Sequence, residues 1–315
     1  MRRPKAVIAA GIYPAAQALI ETVAEAVLCN AGEPRATLLA HLADADALFC
    51  ASNVPVDADL IAHAPKLRII ASASVGTDNI DLGAARKRGI SVTNTPGVLV
   101  EATADLVWGL TLALMRKIVV GQQWIRDGKW TSISAIPYGT DLEEKRLGIV
   151  GLGAIGSAVA RRAKASRMHV SYHNRKPRSD DAIIGAWYSG FDELLEHADC
   201  VIALVPLTAE TRRRFDAAAF SKMKPTAFFI NGARGGIVDT DALLAALRDG
   251  TIAGAALDVT DPEPLAADHP LLHLENCIVT PHIGSATHET RERMSLLAAR
   301  NLIAALRGDR LETPV

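Results

Sequence analysis

One stretch, residues 147–156, constrains the fold of this 315-residue chain more than any other. It reads LGIVGLGAIG, an apolar run typical of a β-strand that ends in Gly151, Gly153 and Gly156, and a small-residue helical pattern follows. A pyrophosphate reaches backbone N–H groups and a helix N-terminus only where no Cβ intervenes. The stretch therefore predicts a dinucleotide site, with a glycine-rich loop that holds no ligand as the alternative.

The next apolar run, residues 168–173, indicates which dinucleotide to expect. NAD sites place Asp or Glu at the end of this strand, on the ribose hydroxyls. Here the first carboxylate is Asp180, and the residues before it are polar or basic: His173, Asn174, Arg175, Lys176 and Arg178. Because arginine and lysine bind a 2′-phosphate and a carboxylate repels one, the sequence predicts NADP(H), with NAD(H) as the weaker cofactor. The alternative is a solvated basic turn.

Apolar runs alternate with helical patterns along the chain, which predicts an α/β protein with parallel sheets. Strands are expected at residues 6–10, 26–29, 47–51, 67–71, 91–94, 200–205, 227–231, 254–259 and 277–280. The predicted architecture is two doubly wound domains, a flavodoxin-like substrate domain and an inserted Rossmann domain, with a cleft between them. The substrate domain would comprise residues 1–99 and 286–315, and the dinucleotide domain residues 100–285.

Residues 121–145 form an arm that is expected to be irregular and carries Trp124, Trp130 and Tyr138. Exposed aromatic side chains on such a segment favour an interface with a second subunit. The alternative is that they cover this chain's own core.

Composition excludes several classes of protein. Lys and Arg number 34 and Asp and Glu 35, so neither nucleic acid nor a membrane is expected as a partner. The four cysteines lie far apart, with no spacing that indicates a metal, and are expected to be buried free thiols in a reducing compartment. Arg2, Arg3 and Lys5 precede an apolar stretch, but Pro14 interrupts it, so we expect a cytoplasmic protein without a signal peptide.

Three polar groups follow successive strands of the second sheet, where ligands bind beyond the carboxyl ends. They are Arg234, Glu263 and His282. An arginine clamps a carboxylate with two hydrogen bonds, and a histidine beside a glutamate can donate a proton near neutral pH. The set suits reduction of a 2-keto acid, with Arg234 orienting the substrate, His282 protonating the forming alkoxide and Glu263 fixing the imidazole. Each residue taken alone has the alternative of a structural loop role.

The sequence resembles the D-isomer-specific 2-hydroxyacid dehydrogenase family nearly from end to end. The motifs that carry the resemblance are SVGTDNIDL (74–82), NTPGVL (94–99), GIVGLGAIG (148–156), VPLTAET (205–211), NGARGGIVD (231–239), LDVTDPEPL (257–265) and TPHIGSAT (280–287). The family's catalytic arginine, glutamate and histidine fall on Arg234, Glu263 and His282. Within the family, these motifs and the basic turn are most similar to those of the glyoxylate/hydroxypyruvate/2-ketogluconate reductases. This resemblance implies a homodimer formed through the arm.

The resemblance also implies further contacts. The amides of Val75 and Gly76 would bind the substrate carboxylate, Ser52 and Asn53 would line the pocket wall, and Trp130 would reach a partner's site. Cofactor contacts are expected from Gly151, Leu152, Gly153, Ala154, Ile155, Gly156, His173, Asn174, Arg175, Lys176, Thr103, Val205, Pro206, Thr211, Ala233, Asp258, His282 and Gly284. Thr260 stands where many relatives have an aromatic residue, so this position does not indicate which substrate the protein binds.

The implied activity is NADPH-dependent reduction of a small 2-keto acid, hydroxypyruvate or glyoxylate, to the D-2-hydroxy acid by hydride transfer. One alternative is a reductase of 2-ketogluconate or an arylpyruvate. An alternative of another class is a dinucleotide-sensing binding protein without turnover, because the C-terminal binding protein corepressors resemble the same family. Phosphite oxidation, a further activity of this fold family, would favour NAD and so disagrees with the basic turn.

Overall fold

The computed structural model describes residues 2–29 and 32–315. The chain divides into two compact units, Met1–Leu99 with Ala286–Val315, and Val100–Ser285. The second unit is therefore an insertion within the first. The assignment of substrate binding to one unit and dinucleotide binding to the other remains a prediction.

Within the described residues, the first unit holds a five-stranded parallel sheet of order β2-β1-β3-β4-β5. The strands are β1 (Lys5–Ile8), β2 (Glu25–Leu28), β3 (Ala47–Cys50), β4 (Ile69–Ser72) and β5 (Ser91–Thr93). The helices are α1 (Pro14–Glu21), α2 (Arg35–Leu42), α3 (Ala58–His63), α4 (Leu82–Lys87) and the C-terminal α12 (His288–Arg307). The reversal of strand order between β1 and β3 is that of a flavodoxin-like sheet.

Helices cover both faces of this sheet. The central strands β3 and β4 are buried along their whole length, as expected for apolar runs in a parallel sheet. Leu42 of α2 and Ile61 of α3 belong to the core on one face, whereas Ile20 of α1 and Leu302 of α12 belong to the core on the other. The carboxyl ends of the strands are thus left to the connecting loops.

Residues 100–285, all of which are described, contain a seven-stranded parallel sheet of order β12-β11-β10-β9-β6-β7-β8. Its strands are β6 (Arg146–Val150), β7 (His169–His173), β8 (Ala186–Tyr188), β9 (Cys200–Ala203), β10 (Phe228–Asn231), β11 (Gly254–Leu257) and β12 (Cys277–Val279). Its helices are α5 (Val100–Met115), α6 (Ile118–Arg126), α7 (Ala154–Ala165), α8 (Asp181–Ile184), α9 (Phe191–His197), α10 (Ala217–Lys222) and α11 (Thr240–Arg248). The order is that of a Rossmann sheet with one strand added, and it reverses between β6 and β9. The predicted class, α/β with two parallel-sheet domains, is confirmed.

The sequence-based boundaries were wrong at several places. The arm is not irregular throughout, because Lys117 adopts a left-handed φ of 52°, which ends α5, and α6 then begins at Ile118. Strands β9 and β11 end two residues earlier than expected, at Ala203 and Leu257. The edge strand β8 was missed because it is only three residues long and two of them are exposed.

All four cysteines are free thiols: Cys29, Cys50 and Cys200 are buried and Cys277 is half-buried. Burial raises the pKa of Cys50 and that of Cys277 to about 12, so both thiols stay protonated at neutral pH. In the described part of the chain, none of the helices combines the length and apolar character that crossing a bilayer requires.

Candidate active site

The glycine turn after β6 lies at the point where the strand order reverses. Gly151 has a φ of 106°, and a Cβ there would lie 2.6 Å from the carbonyl carbon of Leu204, so only glycine fits. A Cβ on Gly156 would lie 2.4 Å from the Gly151 oxygen, which explains how closely α7 approaches the strand. In contrast, a Cβ on Gly153 would meet open space.

The space in front of Gly153 is suited to a pyrophosphate. Gly153 is the N-cap of α7, and Ala154, Ile155 and Gly156 form its first turn. First-turn amides have no partner within their helix and, with the helix dipole, attract anions. The turn is therefore open where phosphates would approach and closed elsewhere, so these residues fit a dinucleotide.

The residues after β7 differ in what their side chains do. Asn174 accepts a hydrogen bond from the Leu152 amide at 2.8 Å and so ties the end of β7 to the glycine turn. The His173 ring packs edge-on against Phe191, and its Nδ1 lies 3.1 Å from the Ser189 oxygen. Arg175 and Lys176 are exposed. These two are the cations that this turn offers to solvent or a ligand.

The loop after β9 carries Val205, Pro206 and Thr211. Thr211 donates its hydroxyl to the Pro206 oxygen at 2.6 Å and accepts from the Thr208 amide at 2.8 Å, so its side chain holds the loop in shape. The same loop carries Glu210, whose pKa is lowered by a hydrogen bond from Thr208 and, less strongly, by the charge of Arg175. The loop thus faces the basic turn.

Asp258, which follows β11, is buried and anchors the histidine loop. One carboxylate oxygen accepts from Thr280 Oγ1 at 2.7 Å and the Ile283 amide at 2.8 Å, and the other accepts from the Gly284 amide at 2.8 Å. A carboxylate has about four acceptor positions, so one remains for a ligand amide. The buried Thr103 of α5 lies behind this loop, since a Cβ on Gly284 would be 3.3 Å from its methyl carbon.

Arg234 stands on a turn held by a buried side chain. Asn231, at the end of β10, donates to the Arg234 oxygen at 2.9 Å and accepts from the Ala233 amide at 3.1 Å. The Arg234 guanidinium donates at 2.9 Å to the oxygen of Ala233, one of the residues predicted to contact the cofactor. The guanidinium and this carbonyl therefore form one polar group.

The turn of Arg234 lies directly on the loop of Glu263. A Cβ on Gly235 would be 1.9 Å from the Thr260 oxygen, so the two backbones touch with no side chain between them. Thr260 in turn donates its hydroxyl to the Pro262 oxygen at 2.8 Å and its amide to Glu263 at 3.4 Å. The threonine that replaces the expected aromatic residue therefore shapes the glutamate loop.

His282 and Glu263 form the central pair. Nδ1 of His282 lies 2.6 Å from Oε1 of Glu263, and the His282 backbone adopts a left-handed φ of 53° while its amide donates to the Asp258 oxygen at 2.8 Å. The hydrogen bond from His282 lowers the pKa of Glu263 most, although partial burial opposes it, and Arg234 lowers it further. Glu263 is therefore ionised, and the opposite ring nitrogen of His282, Nε2, is left for a substrate.

In the first unit, residues 74–76 follow β4. Asn94 donates to the Val75 oxygen at 2.9 Å and Ser74 donates to the Gly76 oxygen at 2.8 Å, so both carbonyls are held. Among the described residues, neither the Val75 nor the Gly76 amide finds a hydrogen-bond acceptor. After β3, Ser52 is half-buried and Asn53 exposed.

The second unit thus brings Arg234, Glu263 and His282 together on the loops of adjacent strands. Trp130 lies apart from them on the arm, with 58% of its surface exposed. The sequence interpretation missed the anchoring roles of Asn231, Asp258 and Asn174. Their one sequence signal is a polar residue at or just beyond the end of a buried strand.

Comparison with known proteins extends these findings. Residues 108–284 match the family described as D-isomer specific 2-hydroxyacid dehydrogenase, NAD binding domain. The chain is 42% identical to the glyoxylate reductase of Aeropyrum pernix over 98% of this chain and 94% of that protein. It is 47% identical to the glyoxylate reductase of Thermococcus litoralis over 88% and 85% of the two chains. The solved structure of an NADPH-dependent glyoxylate/hydroxypyruvate reductase from Sinorhizobium meliloti, in complex with NADP and malonate, superposes with a TM-score of 0.91 at 35% identity, covering 100% and 97% of the two chains.

Proposed function

The chain belongs to the D-isomer-specific 2-hydroxyacid dehydrogenase family, and we propose that it uses NADPH to reduce glyoxylate to glycolate or hydroxypyruvate to its D-2-hydroxy acid. The observation that carries the proposal is the 2.6 Å pair of His282 and Glu263 beside the turn of Arg234, in a sheet whose glycine turn fits a dinucleotide. The glyoxylate reductases among its relatives support the substrate class.

When bound, the reduced nicotinamide supplies the hydride for the keto carbon. The chain's own residues would bind it through the glycine turn, with Asp258 and the Ala233 oxygen available to the carboxamide. Arg234 would hold the substrate carboxylate and draw electron density onto the keto oxygen. His282, fixed at Nδ1 by Glu263, would pass the proton on Nε2 to that oxygen. Glu263 stabilises the imidazolium before the proton leaves.

The Val75 and Gly76 amides of the first unit are suited to a carboxylate, because their own carbonyls are already held and the two N–H groups are available. Ser52 and Asn53 would favour a substrate with a hydroxyl group near them. A comparison of turnover with different keto acids tests the proposed substrate: turnover of glyoxylate and hydroxypyruvate should exceed that of 2-ketogluconate and phenylpyruvate. Tight NADPH binding with no turnover of any keto acid would instead favour the dinucleotide-sensing alternative.

The preference for NADPH rests on Arg175 and Lys176, two exposed cations on the turn after β7. An NADP complex is known for a relative of the same fold, which supports the proposal. We expect Arg175→Ala to raise the KM for NADPH about tenfold or more, since a hydrogen bond to a charged group contributes about 1.5–3 kcal/mol. The KM for NADH should change by less than about twofold, because NADH has no 2′-phosphate for the arginine to bind.

Steady-state kinetics with both cofactors at saturating glyoxylate measure this difference. Arg86→Ala is the control, because Arg86 is an exposed arginine of α4 in the other unit. Equal rises in the two KM values would contradict the assignment of Arg175 to the phosphate.

We also propose a homodimer formed through the arm, whose apolar side chains are strongly exposed. Within the arm, Ile133 is 90% and Tyr138 74% exposed, and Ile125 and Trp130 each expose more than half of their surface. Ile118 and Val119, which precede the arm on α6, are also more than half exposed. An apolar patch of this kind marks an interaction site. Trp130 would then be the aromatic residue offered to the partner's site.

Ile133→Asp is therefore expected to convert the protein from dimer to monomer at micromolar concentration, as measured by light scattering during gel filtration. Ile183→Asp is the matched control, because Ile183 is 89% exposed but lies on α8, outside the arm. A wild-type monomer, or a dimer that survives Ile133→Asp and yields to Ile183→Asp, would contradict the arm as interface. Cytoplasmic location and the lack of nucleic-acid and membrane partners stay predictions.

A further inference from the structure

The third cation of the turn after β7, Arg178, is committed to partners within the chain. Its Nε and Nη2 donate to the two carboxylate oxygens of Asp180 at 2.7 and 2.6 Å, a two-pronged ion pair. Its Nη1 donates to the Leu152 oxygen in the glycine turn at 2.9 Å. Arg178 therefore differs from the exposed Arg175 and Lys176, because three of its donors are already used.

The segment that carries this ion pair is fixed from beneath by a buried tyrosine. The Tyr172 hydroxyl accepts from the Arg178 amide at 2.7 Å and donates to Asp181 at 3.0 Å, and the tyrosine itself is fully buried. Both ends of residues 178–181 are thus tied to β7. The positions of the guanidinium and the Asp180 carboxylate follow from this frame.

The Leu152 peptide is held on both sides. Its amide donates to Asn174 at 2.8 Å, and its oxygen accepts from Arg178. Leu152 lies between Gly151 and Gly153, so the side chains of Asn174 and Arg178 fix the turn that would receive the pyrophosphate. The Asp180 carboxylate consequently lies one guanidinium group away from the glycine turn.

A carboxylate at this place has a direct effect on cofactor choice. Beyond the strand that follows the glycine motif, a free carboxylate accepts hydrogen bonds from ribose hydroxyls and repels a 2′-phosphate. The hydrogen bond from Arg178 lowers the pKa of Asp180, so the group is ionised at neutral pH. With both oxygens bonded to Arg178, its charge is paired and two of its roughly four acceptor positions are occupied.

We propose that Arg178 is a positioning residue for NADP(H): it pairs Asp180, fixes the glycine turn and leaves the 2′-phosphate to Arg175 and Lys176. The inference rests on the proposed NADPH preference and deepens it. In this arrangement the chain keeps an NAD-type carboxylate near the ribose but holds it in an internal ion pair. Loss of Arg178 releases that carboxylate.

Binding of two nucleotides to the full-length protein, measured by titration calorimetry at fixed ionic strength, tests the inference. Adenosine 2′,5′-bisphosphate and adenosine 5′-monophosphate differ only in the 2′-phosphate. We expect Arg178→Gln to weaken the bisphosphate about tenfold and the monophosphate by less than about threefold, because an unpaired anion near the phosphate repels it. Adding Asp180→Asn should restore most of the lost affinity, since it removes that anion.

The double variant also serves if Arg178→Gln alone does not fold, because it removes both charges together. Arg300→Gln is the control, since Arg300 forms a similar two-pronged pair with Glu312 in the other unit, at 2.7 and 3.4 Å. A double variant that binds the bisphosphate no better than the monophosphate would mean that Arg178 contacts the phosphate itself. That result would overturn the inference about Arg178 but not the proposed NADPH preference. Equal wild-type affinity for the two nucleotides would contradict the NADPH preference and the inference together.

Discussion

Replacing His282 with asparagine is expected to lower kcat by about 10²- to 10⁴-fold, the usual contribution of a positioned general acid. Asparagine is the informative replacement because it tolerates the left-handed backbone that His282 adopts, with a φ of 53°. The loop should therefore keep its shape, and the dissociation constant for NADPH should change little. Steady-state kinetics and fluorescence titration measure the two quantities. A variant with wild-type kcat would remove His282 from the mechanism.

Glu263→Gln provides the companion measurement for this pair. We expect a smaller fall in kcat than for His282→Asn, together with loss of the limb of the pH profile below pH 4.5, because glutamine does not titrate. In the wild type, His282 holds the pKa of Glu263 below its ordinary value of 4.5. A depressed carboxylate pKa means that Glu263 is still ionised at pH 4.5 and takes up a proton only as the pH falls through the lower value. An acid limb that Glu263→Gln leaves in place would contradict its assignment to Glu263.

The second large effect is expected at Arg234. Arg234→Gln should lower kcat/KM for glyoxylate by about 10²-fold or more, since it removes two charge-assisted hydrogen bonds of about 1.5–3 kcal/mol each. Arg234→Lys keeps the charge but loses the planar fork, so it should recover only part of the activity. The division between KM and kcat separates carboxylate binding from polarisation of the keto oxygen.

The affinity for adenosine 2′,5′-bisphosphate, which lacks the nicotinamide, is the control for both Arg234 variants, because the glycine turn and the basic turn are untouched. Arg300→Gln controls for the loss of an arginine elsewhere, in the pair with Glu312. If Arg234→Gln and Arg234→Lys both retain wild-type kcat/KM, the substrate carboxylate is bound by other groups.

The parallel sheets could be predicted because their central strands are continuous apolar runs, such as ALFC of β3 and FFIN of β10, separated by helical patterns. Strand β8 could not, since AWY at a sheet edge lacks both length and burial. Helix α6 lies mostly in the segment predicted to be irregular, although its apolar residues recur at helical spacing; none of its residues is buried in this chain. Local sequence patterns are least informative for short or exposed elements such as these two.

The candidate site shows the same division. Arg234, Glu263 and His282 could be placed together because each follows a strand, and strand ends share one edge of a sheet. The hydrogen bonds that hold them could not be predicted. Asp258 binds amides at residues 283 and 284, and Arg178 binds the carbonyl of Leu152, a partner 26 positions away. Which oxygen a side chain occupies depends on the three-dimensional approach of loops, and no sequence period encodes it.

The backbone contact between Gly235 and Thr260 has a mechanical consequence. Because no side chain separates the two loops, the backbone turns that carry Arg234 and Glu263 are in direct contact and form a single platform. Any Cβ at residue 235 would act as a wedge that drives the two charges apart. Changes in substrate range, whether natural or engineered, should therefore fall on the side chains around this platform and leave its glycine intact.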